Sequence, residues 1–238
     1  MNPALHKKNR LEVNGGRKSG VKRAVVLLSG GLDSCTTLFL AKKKGYRVSC
    51  LIFDYGQRHK KEIISAKKIA AAAKCKYEII KIELPWRGSS LLDKKSKLPD
   101  RINIKGIPST YVPARNLIFL SFAISFAESK KAQAIFIGAN QLDYSGYPDC
   151  RVEFYKALEL VAKKGTKTGV EGRPIQILTP LINKTKSEII KLGRKLSVPY
   201  ELTWSCYRGG RFPCGECDSC RLRAKGFKEA GLKDPIYG

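Results

Sequence analysis

Two groups of residues in this 238-residue chain have the types and spacing that chemistry requires. The first is a short run of glycine, serine and aspartate, Ser29-Gly30-Gly31-Leu32-Asp33-Ser34. The second is a set of four cysteines near the C-terminal end. Small polar residues ahead of a helix are typical of phosphate binding, and four clustered thiols are typical of metal binding. The sequence therefore predicts one anion site and one metal site.

The glycine-containing run lies between a predicted strand and a predicted helix. Five apolar residues, Ala24–Leu28, precede it in the pattern of a strand buried on both faces of a parallel sheet. An apolar-periodic segment at 38–44 follows and predicts a helix that Gly45 ends. This arrangement directs backbone N–H groups and the positive end of a helix at a bound anion. We predict a pyrophosphate cradle here.

Known phosphate loops narrow the choice of ligand. A Walker A loop needs a lysine that is missing, and the dinucleotide fingerprint G-x-G-x-x-G is absent. The pattern S-G-G-x-D-S instead resembles the loop of ATP pyrophosphatases (PP-loop enzymes), which cleave ATP between the α and β phosphates to adenylate a substrate oxygen. An ordinary strand-to-helix turn of small residues is the alternative. The predicted ATP-binding residues are Leu28, Ser29, Gly30, Gly31, Leu32, Asp33, Ser34, Cys35, Thr36, Thr37 and Leu38.

The four C-terminal cysteines supply a complete tetrahedral set for one structural zinc ion per chain. They are Cys206, Cys214, Cys217 and Cys220. An iron–sulfur cluster or a redox disulfide is the alternative. In bacterial ferredoxins, however, the fourth cysteine follows the C-x2-C-x2-C run together with a proline, whereas here it precedes the run. The other cysteines, at 35, 50, 75 and 150, are predicted to be small buried residues.

Strands and helices alternate along the rest of the chain. Further strands are predicted at 47–53, 77–84, 134–138 and 175–178. Further helices are predicted at 60–74, 114–129 (with Pro113 at its start), 152–164 and 184–197. This order predicts βαβ units, and hence an α/β fold with a doubly wound parallel sheet. Polar residues after several strands should share one rim of that sheet, where ligands bind.

Composition indicates the class of protein and its division into domains. A hydrophobic content of 43% argues against disorder, and the absence of a membrane-spanning run or a signal-peptide core predicts a cytoplasmic protein. The net charge of +26 fits nucleic-acid binding, an anionic substrate or solvated lysine-rich helix faces. We expect a flexible basic extension at 1–20, an ATP-binding α/β domain at 21–200, and a zinc-binding module with a helix at 201–238.

Additional motifs make the resemblance more specific. They are Phe53-Asp54-Tyr55-Gly56-Gln57-Arg58-His59, Tyr111-Val112-Pro113-Ala114-Arg115-Asn116 and Asp143-Tyr144-Ser145-Gly146-Tyr147-Pro148-Asp149-Cys150-Arg151. With the loop and the cysteines, the chain from Lys22 to about Arg223 resembles the 7-cyano-7-deazaguanine synthases of queuosine and archaeosine biosynthesis. It departs from them in the basic extension and in the seven residues, rather than eight, between the first two cysteines.

The resemblance implies an adenine nucleotide alpha hydrolase-like fold and a ligase that acts on 7-carboxy-7-deazaguanine, ATP with Mg²⁺, and ammonia. The carboxylate would take AMP to form an acyl-adenylate, ammonia would displace AMP to form an amide, and a second adenylation would give the nitrile. It also implies a homodimer with structural zinc. Nucleic acid could contact the basic surface but is not required, and no membrane is involved. Free ammonium is the expected nitrogen source.

The resemblance also suggests roles for individual side chains. Asp33, Arg115 and Lys184 are the catalytic candidates, the first for magnesium and the two cations for charge on the leaving pyrophosphate. Surface cations, turn-forming aspartates, core tyrosines and a histidine that caps a helix are the alternatives. The candidate substrate-binding residues are Tyr55, Gln57, Arg58, His59, Arg115, Asn116, Asp143, Tyr144, Tyr147 and Asp149.

Two other functions fit parts of the sequence. A tRNA-modifying PP-loop enzyme would adenylate a base and use the positive charge to hold RNA. A zinc-containing RNA-binding protein without catalytic activity would carry a degenerate loop, which the intact S-G-G-x-D-S pattern argues against. Pyrophosphate release separates the three, because each requires a different trigger or none.

Overall fold

The computed structural model describes residues 20–85, 89–92, 106–140, 142 and 147–237. The extension predicted at 1–20 lies almost entirely outside these ranges. The strands are β1 (Arg23–Leu27), β2 (Arg47–Asp54), β3 (Lys76–Lys81), β4 (Ala134–Phe136) and β5 (Gln176–Leu178). The helices are α1 (Leu32–Lys43), α2 (Lys61–Ala72), α3 (Arg115–Ser129), α4 (Val152–Gly165), α5 (Lys167–Val170), α6 (Lys186–Lys195) and α7 (Asp218–Ala230). None of the helices in the described part of the chain has the length and apolarity that a membrane span requires.

The five strands form one parallel sheet in the order β3-β2-β1-β4-β5. Central strand β1 pairs with β2 on one side, where Val25 is opposite Ser49, and with β4 on the other, where Val25 is opposite Ile135. The strand order reverses between β1 and β4, which is the position where doubly wound sheets bind ligands. The predicted fold class is confirmed.

Helices cover both faces of the sheet, as its apolar strands require. Side chains of β1 alternate between the faces, so that Val26 packs in a core with α1, α2, α6 and α7, whereas Val25 packs in a second core with α3 and α4. Both side chains are fully buried. Burial on both sides explains why β1 is a continuous apolar run rather than an alternating one.

The first helix begins six residues earlier than the sequence predicts, at Leu32 instead of residue 38. The small polar residues Ser34, Thr36 and Thr37 are instead buried in the helix. Thr36, for example, donates its hydroxyl to the Leu32 carbonyl at 2.9 Å and lies 2.9 Å from the Tyr200 hydroxyl. Because these hydroxyls have partners inside the fold, polar residues are tolerated where periodicity alone would end the helix.

The prediction that Pro113 opens the third helix is wrong, because α3 begins at Arg115. Ala114, between them, has a left-handed backbone with φ of 51°. Its N–H donates to the Tyr111 hydroxyl at 2.9 Å, which stabilises a turn before the helix. The turn orients Arg115 and the residues after it.

A buried ion pair links the C-terminal helix α7 to the segment that follows it. Arg223 donates to Asp234 through Nε at 2.6 Å and Nη2 at 2.8 Å, and both side chains are less than a tenth exposed. Its Nη1 also donates to the Thr203 hydroxyl at 2.6 Å. Two parallel bonds between guanidinium and carboxylate fix the angle between the helix and the chain end.

Arg223→Ala is expected to destabilise the protein strongly, because it leaves the Asp234 carboxylate buried without a counter-charge. The expected loss in the free energy of unfolding is about 3–5 kcal/mol, measured by denaturant titration. Lys228→Ala on the same helix is the matched control, since Lys228 is exposed, and it should change stability by less than about 0.5 kcal/mol. Equal, small effects of the two substitutions would contradict the structural role of the pair.

Candidate functional site

A cavity of about 260 Å³ opens beyond the carboxyl ends of β1 and β4, at the reversal of strand order. The loop between β1 and α1 forms one wall, and the end of β2 with the first turns of α2 and α3 forms another. Lys186 at the start of α6, residues 204, 205 and 207, and the first half of α7 also line it. Most of the predicted rim therefore does come together at one place.

The predicted cradle has the geometry of an anion site. Gly31 is the N-cap of α1 and has no side chain to bond the first helical N–H groups, which leaves them available to a ligand. The Ser29 hydroxyl donates to Ser34 Oγ at 3.0 Å, and the Ser34 hydroxyl donates to the Gly31 carbonyl at 3.0 Å. These bonds hold the loop in shape before a ligand arrives.

Two glycines allow the close backbone contacts around the cradle. Gly30 has a φ of +88°, and a Cβ there would lie 2.2 Å from the carbonyl oxygen of Glu62. Gly138, which follows β4, packs on the start of α1, so that a Cβ would lie 2.9 Å from Ser34 N. Neither position can hold a larger residue without moving the loop. Gly138 could not be found from the sequence motif, since it comes from a distant strand.

The predicted ATP-binding run divides into two parts. Leu28, Ser29, Gly31, Leu32, Asp33 and Ser34 line the cavity. The later residues, 35–38, are fully buried in α1. Gly30 packs against α2 instead of lining the cavity. Only the first half of the run is thus exposed to the cavity.

Asp33 forms the main ion pair of the cavity. Lys186 Nζ donates to its two carboxylate oxygens at 2.9 and 2.8 Å, and the lysine side chain is 11% exposed and the aspartate 17%. A carboxylate and an ammonium group are thus adjacent at the cradle, and these are the group types that can bind a divalent cation and a phosphate.

The predicted cation Lys184 is not in the described lining of the cavity, whereas Lys186 is. Lys184 contributes its backbone carbonyl, which accepts a bond from Asn140 Nδ2 at 2.6 Å. The sequence contained a signal for the difference. Thr185 and Glu188 form a capping box that fixes the helix start, and this places Lys186 on the first turn.

The second wall contains Tyr55, Arg115 and Glu62. Arg115 Nη1 donates to the Tyr55 hydroxyl at 3.3 Å, and its guanidinium lies 5.8 Å from the centre of the Tyr55 ring. Glu62 is in the first turn of α2, and burial raises the pKa of its carboxyl to about 7, opposed by the charge of Arg115. The sequence analysis did not select Glu62.

The four cysteines form a cluster beside the cavity. Their sulfur atoms all lie within 4.8 Å of one another, and Cys214 and Cys220 Sγ are 4.0 Å apart. Tetrahedral zinc–thiolate bonds would place sulfurs about 3.8 Å apart, so the donor set fits a metal of that geometry. Backbone N–H groups of Arg208 and Cys214 donate to Cys206 Sγ, both at 3.4 Å, as is favourable for a thiolate.

The cysteine cluster is connected to the phosphate loop through Trp204. The Trp204 indole donates to the Cys206 carbonyl at 2.9 Å, and the Trp204 backbone N–H donates to the Gly30 carbonyl at 2.9 Å. His59 Nε2 also lies 2.9 Å from the Cys206 carbonyl oxygen. The cluster therefore positions both sides of the cavity without taking part in its lining.

With this geometry established, comparison with known proteins identifies the family. The family model described as "Queuosine biosynthesis protein QueC" matches residues 23–231. The chain belongs to the QueC family. The resemblance inferred from the motifs is confirmed.

Curated relatives agree over almost the whole chain. A 7-cyano-7-deazaguanine synthase from Acetivibrio thermocellus is 55% identical over 91% of this chain and 97% of its own length. One from Clostridium kluyveri is 53% identical over 91% of this chain and 97% of its own length. Among solved structures, a 4-thiouridine synthetase–RNA complex with bound ATP is 19% identical over 88% of this chain and 50% of its own, with a TM-score of 0.49, too low to support inference about this protein.

Only part of the QueC-family motif after β2 lines the cavity. Gln57 lines the cavity, and its amide accepts the Tyr55 N–H at 2.9 Å, which closes the turn. Arg58 and His59 lie outside the described lining. A Cβ at Gly209 would lie 2.5 Å from the His59 ring, so His59 packs tightly on the cysteine segment. Burial lowers the His59 pKa, which favours a neutral ring.

Residues near 147–150 anchor the start of α3. Asp149 Oδ2 accepts the Asn116 N–H at 3.0 Å, while the Asp149 carbonyl accepts Asn116 Nδ2 at 3.1 Å. Tyr147 and Asn116 line the cavity, but Asp149 does not. Burial raises the pKa of the Cys150 thiol to about 12, consistent with an unreactive buried residue. The candidates Asp143 and Tyr144 lie outside the described residues.

Proposed function

We propose that this QueC-family chain is an ATP-dependent ligase that converts 7-carboxy-7-deazaguanine and ammonia to 7-cyano-7-deazaguanine. The observation that carries the proposal is the placement of the cradle and the Asp33–Lys186 pair in one cavity with Tyr55, Arg115 and Tyr147. One end of this cavity suits a polyphosphate, and the other suits a flat aromatic anion. The name that its relatives carry supports this choice of substrate.

The proposed reaction needs the α phosphate held in line with an attacking oxygen. The N–H groups at the start of α1 and the serine hydroxyls of the cradle would hold the triphosphate, and Lys186 and Arg115 would offset charge that develops on the leaving pyrophosphate. Asp33 would hold Mg²⁺, which neutralises phosphate charge when bound. The substrate carboxylate would take AMP, and after ammonia displaces it, the amide oxygen would take a second AMP so that the nitrile forms.

The deazaguanine would lie between the tyrosines of the cavity. Tyr55 and Tyr147 both line it, and each offers a ring to stack on a heterocycle. Asn116 also lines the cavity, and the family motif makes Gln57, Arg58, His59, Asp143, Tyr144 and Asp149 further candidates. Lys184 would act through its backbone carbonyl, which accepts a bond from Asn140 of the cavity wall.

Four cysteine thiolates favour zinc in the C-terminal cluster. With every position filled by the protein, such an ion is structural, and one per chain is expected. We further propose a cytoplasmic homodimer, for which the exposed apolar side chains Leu160 and Val161 on α4 offer a contact surface. The product would serve queuosine or archaeosine formation.

The proposed activity is tested by incubating the protein with 7-carboxy-7-deazaguanine, ATP, Mg²⁺ and ammonium chloride, and by measuring pyrophosphate and product mass. Pyrophosphate release should require the carboxylate but no RNA, and the nitrile should appear only with ammonium. Release that needs tRNA would favour the base-adenylating enzyme, and no release with any substrate would favour the RNA-binding protein.

Lys186→Ala is expected to lower kcat/KM for ATP by about 100-fold or more, because it removes a cation beside the transferred phosphate. Lys184→Ala is the matched control, two residues away and outside the described lining of the cavity. It should change kcat/KM by less than about 3-fold, as for a solvated charge. If Lys184→Ala lowered pyrophosphate release more than Lys186→Ala, Lys184 would be the cation in contact with ATP.

A further inference from the structure

Among the described residues that line the cavity, two have carboxyl groups, Asp33 and Glu62. Their environments differ. Both oxygens of Asp33 accept bonds from Lys186. No described residue donates a hydrogen bond to the Glu62 carboxyl or forms an ion pair with it. Glu62 is half-buried, and a carboxyl group that loses part of its hydration without such a partner is costly, so its retention in a cavity needs an explanation.

Glu62 has a fixed position relative to the phosphate loop. A Cβ at Gly30 would lie 2.2 Å from the backbone carbonyl oxygen of Glu62. The first turn of α2 therefore packs directly against the loop. From the opposite elements, the groups that act on its charge are the Arg115 guanidinium of α3 and the Tyr55 hydroxyl after β2. The neighbouring Lys61 points elsewhere, with Nζ 4.5 Å from the Trp204 ring. Because Glu62 also lines the cavity, it is beside the region where the acyl-adenylate would form.

The proposed reaction has a step for which no base has been named. When the lone pair of ammonia forms the C–N bond, the C–O bond to the phosphate breaks and its electron pair leaves with AMP. The attacking nitrogen then has one proton too many, and a neutral amide forms only when that proton is removed. Asp33 is paired with Lys186 and would hold Mg²⁺, so it is poorly placed to accept the proton.

We propose, on the basis of the proposed ligase function, that Glu62 is the proton acceptor for the ammonia attack: its carboxylate binds the nitrogen nucleophile and takes the proton released as the amide forms. The carboxyl would return this proton to solvent before the second adenylation. The site is therefore specific for a small N–H donor, ammonia or ammonium, rather than for ATP.

The pKa of Glu62, about 7, supports this role. A base is most effective when its pKa is near the working pH, because it is then ionised and still basic. The shift also predicts a stability effect. Since the pKa in the folded protein is above that of an ordinary glutamate, folding is favoured at low pH, and this contribution is lost as pH rises through about 7.

The test separates the two halves of the reaction. Protein is first mixed with 7-carboxy-7-deazaguanine, ATP and Mg²⁺, and the initial burst of pyrophosphate is measured. Ammonium chloride is then added, and amide formation is followed by mass. With Glu62→Gln, the burst should stay within about 2-fold of wild type, while amide formation at saturating ammonium should fall about 100-fold, in the range for loss of a general base.

Glu78→Gln is the matched control, since Glu78 is an exposed glutamate of β3, and it should leave both rates unchanged. Glu62→Asp should restore part of the amide rate, because the carboxylate is kept. The wild-type amide rate, expressed per concentration of free ammonia, should fall below pH 7, and Glu62→Gln should lack this fall. The thermal midpoint of the Glu62→Gln variant at pH 8 should equal or exceed that of wild type.

Three results would overturn the inference. Unchanged amide formation in Glu62→Gln would exclude a proton-accepting role. A parallel loss of the burst would assign Glu62 to binding of ATP or the carboxylate, and a lower thermal midpoint at pH 8 would assign it to the fold. Failure of the ligase proposal looks different, because wild-type protein would then show no carboxylate-dependent burst at all.

Discussion

Asp33→Ala is expected to lower turnover by at least about 10³-fold while leaving the metal content of the cysteine cluster unchanged. The substitution removes the carboxylate that receives both bonds from Lys186 and that would hold Mg²⁺ on the triphosphate. It also frees Lys186 from its partner, so the charge balance at the cradle changes. Turnover is measured by pyrophosphate release, and metal content by elemental analysis of the purified protein.

Asp54→Ala is the matched control for this experiment. Asp54 ends β2, the neighbouring strand, and pairs with Lys60 at 2.9 Å, but it does not line the cavity. Its loss should reduce turnover by less than about 3-fold, since exposed ion pairs contribute little. If Asp33→Ala instead loses metal, or unfolds at a temperature well below that of wild type, Asp33 has a structural role and the cradle assignment fails.

Cys217→Ser is expected to have the largest effect on stability. Removing one of four thiolates opens the tetrahedral set, and metal binding to such sites contributes on the order of 10 kcal/mol to folding. We expect metal content to fall from one per chain to near zero. The thermal midpoint of the variant should fall together with its metal content. Wild-type protein treated with a chelator should show the same two losses.

The effect of Cys217→Ser should extend to ATP. Trp204 bonds both the Cys206 carbonyl and the Gly30 carbonyl, so a disordered cluster removes a support of the phosphate loop. The affinity for ATP, measured by calorimetry at a temperature where the variant is folded, should fall about 10-fold or more. Cys75→Ser is the control, because Cys75 lies outside the cluster. Normal ATP affinity after metal loss would contradict the coupling.

The sequence was sufficient for the sheet and for the clustering of the four cysteines because each depends on local pattern. Apolar runs such as Val25–Leu28 marked buried strands, and the four cysteines come together as their spacing suggested. The start of α1 was missed because Thr36 and its neighbours are satisfied by distant groups such as Tyr200. No local rule can anticipate a hydroxyl partner that comes from another part of the chain.

The cavity itself was less predictable, since its lining depends on which helix faces inward. Lys184 and Lys186 are both cations in one short stretch, and the choice between them depends on the capping box at Thr185. Glu62 and Gly138 are brought to the loop only by packing of α2 and β4. The sequence predicts that His59 binds substrate or caps a helix, but its Nε2 lies 2.9 Å from the Cys206 carbonyl oxygen.

Transfer of oxygen from the substrate to AMP is the most direct test of the account. If 7-carboxy-7-deazaguanine is labelled with oxygen-18 at both carboxylate oxygens, attack on the α phosphate at each stage moves one labelled atom into AMP. We predict that both AMP molecules formed per nitrile carry one oxygen-18 atom and that the pyrophosphate carries none. Unlabelled AMP, or label in pyrophosphate or inorganic phosphate, would contradict adenylation of the carboxylate in this cavity.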